Sequence, residues 1–279
     1  MSAIQQSILV IGESNVGKTH YGAQLLKRLI VGECKLRMNG AASNLKPFEK
    51  AMECLADGIA TEHTPATTYV ESVWPMVDTE GRSGTLIWPD YGGEQVLKMI
   101  AERRVPDTWR SRVGSATDWI FLIRLHTLRS ADDMFSRPVS VLGQVQSQAS
   151  PQQFSDQGRL IELLQMLLYV AGLDRDEPRR SPSLTVLLTC WDELGVQGSP
   201  KDILAEQLPM FSAFVHSTWR EPAVFGLSAL EKPLSQKKPD QEYASRGPEE
   251  FGFIVHPDGS RTEDITWPIH RLLTNNDMD

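Results

Sequence analysis

Two kinds of apolar spacing alternate along the chain. Short, nearly continuous apolar runs are followed by segments whose apolar residues recur every three or four positions. The first kind predicts strands buried on both faces, and the second predicts amphipathic helices. Expected strands are Ser7 to Ile11, Thr68 to Val77, Gly84 to Trp88, Asp118 to Leu125, Leu184 to Thr189 and Ala223 to Leu227, with Pro89 stopping the third. Expected helices are Lys18 to Ile30, Leu45 to Ile59, Gln95 to Arg104, Gln157 to Leu173, Ile203 to Trp219 and Ile265 to Leu273. The alternation predicts an α/β fold of three layers, with helices on both faces of a mostly parallel central sheet.

Two stretches break this rhythm. Arg129 to Asp156 is rich in Ser, Gln and Asp, and Glu231 to Gly247 is rich in Lys, Pro, Gln and Ser. Both are expected as long loops, and loops of that length tend to carry function. The chain is therefore expected as a single domain over residues 1–279, with insertions at about 129–156 and 231–262. The two loops are the expected contacts for a protein partner.

Composition narrows the picture. With 279 residues and 41% of them hydrophobic, the chain can bury a sizeable core. A formal net charge of -8 argues against sequence-independent nucleic-acid binding. Arg103, Arg104, Arg110 and Arg112 are expected as solvated charges rather than a binding patch. Cys34, Cys54 and Cys190 are far apart and form no CxxC pair, which suggests neither a disulfide framework nor a zinc site. The start of the chain has no secretory pattern. The most apolar helical stretch, Leu160 to Leu173, is interrupted by Glu162 and Gln165 and is shorter than the ~20 residues of a membrane span. A reduced, cytoplasmic protein without a membrane span is expected.

The chemistry starts at Gly12-Glu13-Ser14-Asn15-Val16-Gly17-Lys18-Thr19, which fits GxxxxGK[ST]. A strand delivers the chain to a tight loop, and glycine lets the backbone approach phosphates. Successive N–H groups and a helix N-terminus then favour an anion. Lys18 is expected on the β- and γ-phosphates and the Thr19 hydroxyl on Mg²⁺, with His20 next to it.

Four more segments follow in order. Asp90-Tyr91-Gly92-Gly93 fits DxxG at the end of a strand; Asp90 would hold Mg²⁺ through water and the Gly93 N–H would meet the γ-phosphate. Thr64-Pro65-Ala66-Thr67-Thr68 offers a threonine that caps Mg²⁺. The sequence does not choose among the three, although distance from the strand favours Thr67, then Thr64. Thr189-Cys190-Trp191-Asp192 compares with [NT]KxD, whose aspartate accepts two hydrogen bonds from guanine. Here Cys190 replaces the lysine that packs along base and ribose. Ser228-Ala229 compares with the SA motif whose backbone contacts the guanine oxygen.

Together these motifs resemble the translation-factor-related class of P-loop GTPases, with Ras-like topology, over nearly the whole chain. A closer resemblance is to the double-GTPase type-1 domain of bacterial GTPase-centred conflict systems. It is carried by Thr19-His20-Tyr21-Gly22-Ala23-Gln24-Leu25-Leu26, by Gly247-Pro248-Glu249-Glu250-Phe251-Gly252-Phe253-Ile254, by Pro257-Asp258-Gly259 and by Asp264-Ile265-Thr266. It implies a regulatory GTPase binding GTP or GDP with Mg²⁺. It also implies a second GTPase or an effector as partner, in a homo- or heterodimer, and a role in antiviral defence.

Catalysis is less complete than binding. Ras-like enzymes orient the attacking water with a glutamine directly after the DxxG glycine. Here that position is Glu94, followed by Gln95. A carboxylate near a phosphate predicts slow intrinsic hydrolysis, completed by a partner. Arg82, Arg103 and Arg104 flank this region as candidate arginine fingers, with solvated surface roles as the plainer reading. Two alternatives stay open: a pseudo-GTPase that binds nucleotide structurally, motivated by Glu94 and Cys190, and a P-loop ATPase or kinase, if Asp192 does not face the base.

Overall fold

The computed structural model describes residues 6–61, 70–90, 93–128, 155–173, 179 and 181–274. Nine strands form one sheet: β1 (Gln6–Gly12), β2 (Leu36–Met38), β3 (Val70–Asp78), β4 (Ser83–Asp90), β5 (Asp118–Ile123), β6 (Ser183–Thr189), β7 (Ala223–Ser228), β8 (Phe253–Val255) and β9 (Arg261–Thr262), in the order β2-β3-β4-β1-β5-β6-β7-β8-β9. Strands β4, β1, β5, β6 and β7 are parallel, and antiparallel β2–β3 and β8–β9 extend the two edges.

Alternation along β1 explains the layers. Leu9 and Ile11 enter one core with Phe121, Ile123, Val186 and Leu188. Ile8 and Val10 enter the other with Ile120, Leu122 and Leu187. All these residues are buried, as a doubly covered parallel sheet requires. Helices α1 (Lys18–Val31) and α9 (Trp267–Thr274) contribute Tyr21, Leu25, Ile269 and Leu272 to the second core. Helices α3 (Gly93–Glu102), α4 (Asp107–Ser115), α5 (Asp156–Val170), α6 (Pro200–Gln207) and α7 (Pro209–Thr218) cover the first. The three-layer α/β architecture is the expected one.

Helix α2 (Lys46–Ala56) is pinned by aromatic rings. Trp74 and Trp88 stack at 5.3 Å, and Phe48 meets both edge-on at 5.1 and 5.7 Å. Phe48 comes this close because α1 carries Gly22 there. A Cβ on Gly22 would stand 2.3 Å from Phe48 Cε1 and 3.0 Å from Trp88 Cζ2. Gly22→Ala gains helix propensity of about 1 kcal/mol. It overpacks this cluster by about 2–3 kcal/mol, so a net loss of about 1–2 kcal/mol is expected in urea unfolding.

Several segments differ from expectation. Pro89 does not stop β4, which runs to Asp90. Pro89 faces Glu71 across β3, while pairing of β4 with β1 ends at Ile87. The missing N–H therefore falls where no strand needs it. The helix expected from Ile203 to Trp219 is two helices, broken at Leu208 (φ -131°, ψ 63°), because Pro209 drives its predecessor out of the helical region. Glu231 to Gly247 is not all loop, since α8 (Gln241–Arg246) forms there with Asp240 capping the Tyr243 N–H. Residues 129–154 lie outside the described residues. No helix among the described residues is long and apolar enough to cross a membrane.

Candidate nucleotide site

The strand order reverses at β1: β4, with β3 and β2 beyond it, lies on one side, and β5 on the other. Ligands of open α/β sheets bind at the carboxyl ends of strands around such a point. A cleft of about 610 Å³ lies there. Its walls bring together Ser14, Asn15, Val16, Gly17, Lys18, Thr19 and His20 with Thr189, Cys190, Asp192 and Ala229. The segments, ending at His20 and resuming at Thr189, are far apart in sequence, so their meeting is a property of the fold.

The loop is held open by its backbone. Asn15 (φ 62°) and Gly17 (φ 78°) are left-handed, which makes an anion-binding concavity, and no side chain caps the start of α1. The Lys18 ammonium donates to the Gly12 and Glu13 carbonyls at 2.8 and 2.6 Å, so it lies folded over the loop. Gly12 is packed tightly, since a Cβ there would meet Val16 Cγ2 at 2.9 Å. The Glu13 carboxylate turns away from the cleft and receives two bonds from Arg159 of α5, at 2.7 and 3.0 Å. Arg159 also bonds Asp156. These partners raise the Arg159 pKa, Glu13 most. His20 accepts the Thr61 N–H at 3.2 Å, which ties the chain entering residues 62–69 to α1.

The second wall is built from β6 and β7. Cys190 (φ 52°) turns the chain out of β6 into a short 3₁₀ turn, Trp191–Leu194. Trp191 packs into the core over Gly226, where a Cβ would stand 2.6 Å away, and Asp192 is carried outward to the cleft. The Ser228 hydroxyl donates to Asp192 Oδ1 at 2.5 Å and accepts the Glu231 N–H at 2.9 Å. The Ala229 carbonyl takes a bond from buried Gln24 at 3.0 Å. Burial pushes the Cys190 thiol up to about 12, against the opposing Arg124 charge, so it is neutral near pH 7. Arg124 itself lines the cleft; its guanidinium forks onto Glu193 at 2.9 and 2.5 Å and donates to the Asn15 carbonyl at 3.2 Å.

Other candidates fall elsewhere. Asp90 ends β4 and Gly93 starts α3, but the Asp90 and Glu94 side chains, like Thr64 and Thr67, lie outside the described residues. Gln95 is on α3 and is not among the cleft-lining residues. Arg82, Arg103 and Arg104, the candidate arginine fingers, are not among the cleft-lining residues. Arg82 sits in the β3–β4 turn, at the sheet end opposite the phosphate loop, paired with Asp78 at 2.6 Å; Arg103 is paired with Glu162 at 3.0 Å. Arg110 and Arg112 pair with Asp107 and Glu71, so these arginines are not a joint basic patch.

Sequence reading missed Arg124, Arg159, Glu193 and the segment Leu230–Gln236. That segment was expected as a partner loop. Leu230, Lys232, Pro233, Leu234 and Gln236 line the cleft, and Ser235 O accepts the Ala60 N–H. Among the described residues no group of three His, Cys, Asp or Glu gathers to hold a metal.

A Ras-like strand order, a phosphate loop after β1 and a cleft at the switch point define a P-loop GTPase domain. The chain belongs to the Double-GTPase 1 family, whose model matches residues 9–272. Members of that class bind guanine nucleotides. No curated protein matched the chain. Similar solved structures include the signal recognition particle receptor SRb–GTP/SRX complex of Chaetomium thermophilum (13% identity, 88% of this chain and 98% of that one, TM-score 0.38). A Trypanosoma brucei small GTPase with a bound nucleotide analogue (11%, 80% and 87%, TM-score 0.37) is another. A third is a bacterial selenocysteine-specific elongation factor (12%, TM-score 0.37); the match takes in 81% of this chain but only 26% of the factor.

Proposed function

We propose that the protein is a GTP-hydrolysing molecular switch whose residues 1–279 work as one GTPase unit. The observation that carries this reading is the single cleft lined by Lys18, Thr19, Asp192 and Ala229. Phosphates would sit on the loop from Gly12 to Thr19, and the base between Asp192 and the Ser228–Ala229 turn. The residue types suit Mg²⁺: Thr19 is on the cleft wall and offers a hydroxyl, and Asp90 ends the strand beside β1. The ion would be shared with the nucleotide's phosphate oxygens and with Thr67 or Thr64, and would neutralise charge on the phosphates.

Hydrolysis forms a bond from water oxygen to the γ-phosphorus and breaks the bond to the β–γ bridging oxygen, giving GDP and phosphate. Lys18 would stabilise charge on the transferred group, while Glu94 or Gln95 would orient the water. A carboxylate at position 94 supports a slow intrinsic rate, raised by a second GTPase or effector in a cytoplasmic bacterial defence system. The test is phosphate release by wild type against Lys18→Ala, with the copurified nucleotide identified by mass spectrometry. Release no faster than the variant, with the partner present, would leave a structural nucleotide-binding module. Neutral Cys190 favours that second reading.

A further inference from the structure

The guanine-binding pattern has a lysine at the position of Cys190, and this cleft lacks that charge. A different cation reaches the same place. Arg124 leaves the end of β5, and its guanidinium bridges the two halves of the cleft: Nη1 to Asn15 O at 3.2 Å in the phosphate loop, Nε and Nη2 to Glu193, next to Asp192. The forked pair with Glu193 fixes the plane of the guanidinium, as Arg–carboxylate pairs do. Cys190 is small enough to leave room: its Sγ lies 3.6 Å from where a Cβ on Gly17 would be. The other lysine on the cleft wall besides Lys18, Lys232, is held by Asp240 and Glu242 at 2.8 and 3.1 Å.

We infer that Arg124 is a nucleotide-binding residue that replaces the lysine absent at position 190, lying along the ribose and base and locking the phosphate loop to the turn that carries Asp192. The inference rests on the reading of the cleft as a guanine-nucleotide site. A planar guanidinium suits this place because it stacks on an aromatic face while its edges stay hydrogen-bonded. Its anchors, Asn15 O and Glu193, belong to the walls that hold the nucleotide, so its effect falls on affinity, equally for GDP and GTP.

The test is titration of the full chain with fluorescent GDP and GTP. Arg124→Ala is expected to weaken both on the order of 10- to 100-fold, as loss of a charge-assisted contact does. Adding Cys190→Lys to Arg124→Ala is expected to recover most of the loss, because the lysine returns to its usual position. Arg124→Gln is shorter and uncharged but can keep a hydrogen bond to Glu193 from the position of Nε, and it serves if the alanine variant does not fold; the same loss is expected. Wild-type affinity in Arg124→Gln or Arg124→Ala would overturn the inference. So would a folded double variant with no recovery, since the arginine would then be only a brace between loops. Failure of wild type to bind GDP would overturn the reading of the cleft itself, and this inference with it.

Discussion

Lys18→Ala is expected to lower affinity for GDP and GTP by on the order of 10²- to 10⁴-fold. Each bond from an ammonium to a phosphate oxygen contributes about 1.5–3 kcal/mol, and about 1.4 kcal/mol is a factor of ten. Lys18 is buried and already folded over the loop by the Gly12 and Glu13 carbonyls, so it is ordered before the ligand arrives. Little side-chain entropy is left to lose on binding, which places the effect toward the upper part of that range. Equilibrium dialysis with labelled GDP measures the loss directly. Thermal unfolding adds a second check. A ligand at a hundred times its dissociation constant stabilises the folded state by about 2.7 kcal/mol. Wild type should therefore melt later with GDP, and Lys18→Ala at the same concentration should not.

Asp192→Asn should change the preferred base. A guanine ring edge offers two donors, N1–H and the exocyclic amino group, to a carboxylate with two free acceptor directions. The Ser228 hydroxyl bonds Oδ1 from the side, fixing the carboxylate without using both oxygens. Asparagine keeps an acceptor for Ser228 but sets an amino donor against a guanine donor. Leaving such a buried polar pair mismatched costs about 3–4 kcal/mol, or on the order of 10²- to 10³-fold in GTP affinity. Xanthosine triphosphate carries a carbonyl in place of that amino group, so its affinity should rise in the variant. Competition against fluorescent GDP reads both changes. ATP competing as well as GTP with the wild-type protein would remove Asp192 from the base.

Much of this site was legible because it is written in contiguous segments. The phosphate loop needs eight residues in a row after a strand, and both the spacing and the strand are visible in the sequence. Asp192 could be placed because Leu184 to Thr189 is apolar enough to be a central strand. Arg124 and Arg159 could not, because their partners Asn15 and Glu13 are 109 and 146 positions away and nothing local marks the pairs. Gln24 reads as a polar interruption of an apolar helix face, yet it is fully buried and holds the Ala229 carbonyl. Helix α4 was missed for another reason. Only Trp109 and Val113 of its nine residues are buried, too thin a stripe to show a period. The strands β8 and β9 are short edge pieces whose pairing comes from β7 rather than from their own pattern.

The Glu13–Arg159 pair has an evolutionary consequence. Glu13 is buried, so removing Arg159 strands its carboxylate away from water, whereas Arg159 is a quarter exposed and keeps Asp156 when Glu13 is lost. Relatives that have lost the arginine at position 159 should therefore have lost the carboxylate at position 13 in the same lineage, and chains keeping Glu13 without a cation at 159 should be rare. The sequence of the phosphate loop is in this way bound to the history of a distant helix that begins at Asp156, rather than being free to drift within its own motif.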